Sequence, residues 1–202
     1  MSGLKPVITD ILDKLATIDV VNQDNLTVPI YARIWNNQLD NLQEGQSYSW
    51  PRPAAFVEIV SPATFEVIGL GFRSADIGIR IHIVHDFYNS EGTYSQDLTI
   101  FDLRDKIISA HNPDTNVQSG LSQFCPTACG PLNCVSEYQD YNHGNLYHYI
   151  CEFITNFTDS KGSVLDPDDG RYTEEVIDPL DAQVEPMAKP DEPAQTNDFI
   201  IP

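Results

Sequence analysis

Ile77-Gly78-Ile79-Arg80-Ile81-His82-Ile83-Val84 sits inside a stretch, Ala75 to Ala110, in which two clear periodicities meet across a short turn. Every second residue from Ile77 to Ile83 is isoleucine, and Gly78, Arg80 and His82 lie between them, the period of a strand that buries one face. Beyond Phe87, Asn89-Ser90-Glu91-Gly92 reads as a turn, and Thr93 with Gln96 has the spacing of a capping box. Leu98, Phe101, Ile107 and Ile108 then recur at helical spacing, with Ile100 and Leu103 widening the apolar side, until His111-Asn112-Pro113 stops the helix. A long strand handing over to a helix predicts a sheet with a helix laid across it.

The flanking chain extends that scaffold. Val7, Ile8, Ile11, Leu12, Leu15 and Ile18 form an amphipathic stripe, so residues from about 6 to 18 read as a first helix with Pro6 in its opening turn. A polar stretch, Asn22 to Asn25, leads to a strand over 30–35. Residues 36–53 form a long polar loop carrying Trp50-Pro51-Arg52-Pro53, whose prolines exclude a central strand. Ala54 to Val60 is the next strand, and Gly69 and Gly71 make the apolar segment from Phe65 to Phe72 a hairpin arm or bulged strand. A second long loop, 112–131, holds Cys125 and Cys129. Residues 133–140 and 146–157 then form a hairpin closed by Tyr141-Asn142-His143-Gly144-Asn145. In its second arm Tyr147, Tyr149, Cys151, Phe153 and Phe157 share one face, and Leu146, His148, Ile150, Glu152 and Ile154 the other. The fold class is α+β: a mostly antiparallel sheet with two helices packed on it over residues 1–158, plus an extended acidic C-terminal arm over 159–202.

The arm differs in composition from the rest. Residues 159–202 hold twelve Asp or Glu against three Lys or Arg, with six prolines and no core-forming period. Such a segment alone buries too little apolar surface to offset its ordering entropy. Val164-Leu165, Val176-Ile177 and Phe199-Ile200-Ile201 punctuate it, which suits an arm that docks short apolar anchors into a partner. The chain as a whole, 202 residues with a net charge of −19, is too acidic to hold nucleic-acid backbones or anionic membrane surfaces by charge. No run of about 18 apolar residues predicts a membrane span. The N-terminus lacks the pattern of an export signal, so synthesis in the cytoplasm and free thiols are the expectation.

No constellation gives an enzyme signature. Cys125, Cys129 and Cys134, with Cys151, invite a tetrahedral thiolate site, but the spacing departs from a Cys-x2-Cys knuckle and Cys151 lies mid-strand among aromatics. His82 and His85 point to opposite faces of their strand and make no joint metal site. His85 beside Asp86 has the elements of an acid/base pair without a nucleophile at hand. The expectation is that His82, His85 and His148 are exposed strand residues. Gly69-x-Gly71 precedes neither a helix nor Lys-Ser/Thr and is no phosphate cradle. Asp166-x-Asp168-Asp169-Gly170 lacks the closing Glu of a calcium loop. Catalytic, cofactor-binding and metal residues are therefore assigned to none.

The chain resembles the tail terminator and tail completion (neck) proteins of tailed bacteriophages. The residues that carry the likeness are Ala75 to Tyr88, the helix containing Asp102-Leu103-Arg104-Asp105-Lys106-Ile107, and Gly130-Pro131-Leu132 with Glu137 to His143 in the closing hairpin. The resemblance covers about residues 1–158 and is one of order and texture. It implies an α+β subunit that assembles with itself into a ring, a hexamer or dodecamer, at the head-proximal end of a virion tail. That ring joins the tail tube to the head connector, DNA passes its bore without specific binding, and assembly occurs in the host cytoplasm. No catalytic site, cofactor or membrane contact is implied. Trp50, Arg52 and Phe124 in the long loops, and Phe199, Ile200 and Ile201 in the arm, are the candidate interface residues. Two other classes compete: a small metal-binding domain or enzyme built on Cys125, Cys129 and Cys134, and a cytoplasmic adaptor whose acidic arm mimics nucleic acid.

Overall fold

The computed structural model describes residues 3–21, 26–39, 50–60, 64–69, 72–86, 98–110, 120–142 and 146–161. The turn expected at 89–92, the pair Thr93 and Gln96, the 166–170 loop and the arm beyond residue 161 lie outside them. Helix α1 spans Leu4–Leu15 and helix α2 spans Thr99–Ile108. The strands are β1 (Asp19–Val21), β2 (Thr27–Pro29), β3 (Tyr31–Ile34), β4 (Ala54–Val60), β5 (Glu66–Gly69), β6 (Phe72–Asp86), β7 (Asn133–Asp140) and β8 (Leu146–Asp159). An α+β architecture with a mixed, mostly antiparallel sheet follows.

The main sheet has the order β3-β4-β6-β8-β7, with β5 pairing the first residues of β6 on the β4 side. Only β3 and β4 run parallel. A parallel neighbour cannot be reached through a tight turn, which is why the chain spends residues 35–53 between them. The isoleucine strand is the centre: β6 pairs β4 from Gly78 to Val84 and β8 from Arg73 to Asp86. β8 runs on to Asp159, opposite Arg73, so the sheet includes the residue at which the acidic composition begins.

Alternation in β6 divides the molecule into two faces. Ile77, Ile79, Ile81 and Ile83 are fully buried in one cluster with Cys151, Phe153 and Phe157 of β8. Both helices cover this face, α1 through Val7, Ile11 and Leu15 and α2 through Ile100, Leu103 and Ile107. The sequence pattern placed Leu98 and Phe101 on the buried stripe of α2. The structure corrects this: both are exposed, because Leu98 precedes the helix and Phe101 leans on the rim against Tyr149 at 6.0 Å.

Two further departures come from chain that returns to cap something. α1 ends at Leu15, yet Ile18 stays buried and its carbonyl accepts from the Ile30 amide at 2.9 Å, which joins α1 to the β1–β2 hairpin that the sequence reading did not contain. α2 ends at Ile108 because segment 120–122 satisfies its last carbonyls: Leu121 N–H donates to Ile107 O and Ser122 Oγ to Ile108 O. Only glycine fits at position 120, where a Cβ would sit 2.4 Å from the Ile107 oxygen and 2.6 Å from that of Ser109. No helix among the described residues is long and apolar enough to cross a membrane. Phe153→Ala, at a fully buried position in this core, should destabilise the fold by about 3–5 kcal/mol; urea titration measures it.

Candidate functional site

The second face of the sheet carries the polar residues of the alternation. Register sets them in rows: Glu58 of β4, Arg80 of β6 and Glu152 of β8 form one, and Phe56, His82, Ile150 and Tyr138 the next. His148 of β8 lies beside Val84, with Asp140 of β7 opposite it. At this end the face is not open. Trp35 and Trp50 from the two ends of the β3–β4 crossover pack over it and, with Leu39, Phe56, Val84 and Leu146, close a second apolar cluster.

Under that cover the expected exposure of the histidines is reversed. His82 is 5% exposed, His85 4% and His148 2%; His85 points to the helix-covered face and the other two lie beneath Trp35. The Trp35 ring stacks on His82 with centroids 4.0 Å apart and planes 2° from parallel. His82 Nδ1 lies 2.9 Å from His148 Nε2, His82 Nε2 lies 3.2 Å from Glu58 Oε2, and His148 Nδ1 lies 3.2 Å from Asp140 Oδ2. Glu58 also meets Arg80 Nη1 at 3.4 Å, and Arg80 Nε donates to Glu152 Oε1 at 2.6 Å. Six side chains from four strands thus form one line: Glu152, Arg80, Glu58, His82, His148, Asp140. Burial pushes the His82 imidazole below its usual value, against the pull of Glu58. The bond to Glu152 holds Arg80 above its own.

Chemically, the line can hold and share protons, and it fixes four strands against one another. Beside its imidazoles stand Phe56, Ile150, Trp35 and Tyr138, with no Ser, Thr or Cys in that row among the described residues. The sequence did contain a signal for it: β8 alternates apolar residues on both faces near its start, which means that both faces are covered there.

The candidate interface residues have inward contacts. Trp50 packs edge-on against Phe56 at 5.0 Å, Arg52 pairs with Asp86, and Phe124 lies against the main core with the Lys14 ammonium 5.9 Å over its ring. Phe199, Ile200 and Ile201 lie outside the described residues. The four cysteines do not converge: Cys125 and Cys134 are exposed, Cys129 is half-buried and Cys151 is buried in the main core. Among the described residues no three His, Cys, Asp or Glu side chains are placed to hold a metal ion. A groove of about 560 Å³ runs between α1, the β1–β2 hairpin, β3 and Pro51–Pro53. Arg33 on its wall is the one arginine of the described residues without a carboxylate partner, its guanidinium lying instead over the Tyr31 ring.

Burial depresses the His85 imidazole, with the Asp86 carbonyl and charge opposing in part. The unfolded chain therefore takes up that proton near pH 6.5, before the folded chain does. The contribution of His85 is complete above that pH and is lost as the pH falls. Urea midpoints measured from pH 7.5 to 5 should decline in the wild type and decline less in His85→Asn. Burial also pushes the Cys151 thiol up to about 12 and Cys129 up to about 11. Maleimide at pH 8 should therefore modify Cys125 and Cys134 first and reach Cys151 only at the rate of unfolding, as read by peptide mass spectrometry. The chain matches no protein-family model, and no curated protein matches it.

Proposed function

We propose that this chain is a structural virion subunit, a tail terminator or tail completion (neck) protein that forms a ring at the head-proximal end of a bacteriophage tail. The observation that carries the reading is the outer edge of β7. Among the described residues its backbone from Asn133 to Gln139 bonds only to β8 and, at the Ser136 carbonyl, to its own Cys134 thiol at 3.9 Å, and it exposes Val135 and Tyr138. An unpaired edge of this length is a template for another chain.

The opposite edge differs in kind. Trp35 N–H donates to Val57 O, so Ala32 and Ile34 face outward from β3, and their carbonyls are taken by Arg33 Nη1 and Gln38 Nε2. β3 is thus blunted by one side chain of its own and one from the segment that follows it. Farther along the same side, β5 projects with Val67 71% and Ile68 60% exposed. Two unlike adhesive edges on opposite sides of β6 suit a head-to-tail contact, and such contacts form rings where the rotation between copies closes. In this reading the segments 36–53 and 112–131 and the acidic arm meet the tail tube and head connector. The charge of −19 keeps DNA sliding through the bore without adhering. The subunit itself carries out no catalysis.

Light scattering and negative-stain microscopy of the full chain, alone and with tail tube and connector proteins, test this. Rings are expected, and Val135→Lys on the β7 edge should weaken assembly at least tenfold while leaving the melting temperature within a few degrees. A chain that stays monomeric at high concentration and binds neither protein would overturn the proposal.

A further inference from the structure

The heavy-atom geometry of the buried line constrains how many protons it holds. Three contacts have to be bridged: Glu58 to His82, His82 to His148, and His148 to Asp140. Each needs one N–H. Two neutral imidazoles supply two protons, since each carries one donor and one acceptor nitrogen. With only two, one contact sets a lone pair against a carboxylate inside a site where both histidines are at most 5% exposed, and an unsatisfied buried polar group is costly.

A third proton resolves this on either ring, and Arg80, already paired with Glu58 beside His82, disfavours a second cation there and so places the proton on His148. His82 is neutral, donates Nε2–H to Glu58 and accepts at Nδ1. His148 is doubly protonated, donating Nε2–H to His82 and Nδ1–H to Asp140. The charges along the line then alternate, with neutral His82, on which Trp35 stacks at 4.0 Å, between Glu58 and His148. We infer that His148 is held as a buried imidazolium and acts as a proton-operated clasp that ties the end of β7, through Asp140, to the centre of the sheet.

Both sides of the clasp are set by its neighbours. Loss of the His148 proton at higher pH turns Nδ1 into a second acceptor facing Asp140, so the clasp opens. Asp140 is also the turn cap, its Oδ1 accepting from the Asn142 amide at 3.0 Å, so release of its other oxygen loosens the turn that follows. A fourth proton, on His82 Nδ1 at lower pH, would face the Nε2–H of His148 and break the link between the rings. Glu58 and, through it, Arg80 and Glu152 face His82 from β4, β6 and β8. Asp140 and the Tyr138 phenol face the pair from β7, the Arg52–Asp86 ion pair lies one row beyond His148, and Tyr31 approaches from β3 through Phe56.

Long-range proton–nitrogen NMR on the full chain with nitrogen-15-labelled histidine reads each ring nitrogen directly. At pH 7 His148 is expected to show two protonated nitrogens and His82 one. Asp140→Asn replaces the acceptor by an amide that can donate to a neutral Nδ1, and it should lower the His148 midpoint by at least one pH unit, a tenfold loss of proton affinity. His85→Asn, on the opposite face, should leave that midpoint unchanged. A His148 that is neutral at pH 7, an Asp140→Asn chain with an unmoved midpoint, or a stoichiometric zinc ion displacing the shared proton would each overturn the assignment. The clasp stands or falls independently of the ring, because the spectrum reads it whether the chain assembles or not.

Discussion

The ladder between β6 and β8 is the constraint on which the rest of the molecule depends. It runs without interruption from Arg73 opposite Asp159 to Asp86 opposite Leu146. Because side chains alternate along both strands, fixing that register assigns every residue of both to a face at once. One face receives Ile77 to Ile83 and Phe153 and so requires the helices. The other receives Arg80, His82, Glu152 and His148 and so requires either water or a cover with polar partners. A slip of one residue would exchange these two sets, burying the charges under helices that offer them nothing.

The two faces solve unequal problems. The helix-covered side is an apolar core, and its cost of assembly is offset by area removed from water. On the other side, a cluster of aromatic rings closes over a polar line, and every buried nitrogen of His82 and His148 has a partner. Such networks specify one arrangement strongly when complete and are costly when incomplete. The same physics separates the edges. Arg33 of β3 and Gln38 just beyond it take two outward β3 carbonyls, whereas on the outer edge of β7 the Ser136 carbonyl is met by the Cys134 thiol.

The long strands were legible in the sequence: the isoleucine alternation of β6 is strict, β4 and β7 appear with their observed bounds between turn residues, and β8 extends the expected strand by two residues. Short elements escaped. The three-residue strands β1 and β2 carry too little period to be seen against the polar stretch between them. The parallel pairing of β3 with β4 leaves no local mark at all. In α2 the helical period was read correctly but its phase was not, since Leu98 lies outside the helix and Phe101 covers a rim. For the histidines, alternation told which face each occupies and not what lies above it. Their cover comes from Trp35 and Trp50, residues whose approach to the sheet is set by a crossover rather than by neighbours in sequence.

Separation along the chain gives the central ladder a kinetic meaning. Arg73 and Asp159 are 86 residues apart, so β8 must close a large loop before its first pair with β6 is rewarded. The β7–β8 hairpin needs only a short turn and can form earlier as a preassembled ribbon. Refolding is therefore expected in the millisecond-to-second range of topologies rich in distant contacts, with the edge strand β7 among the first parts to exist.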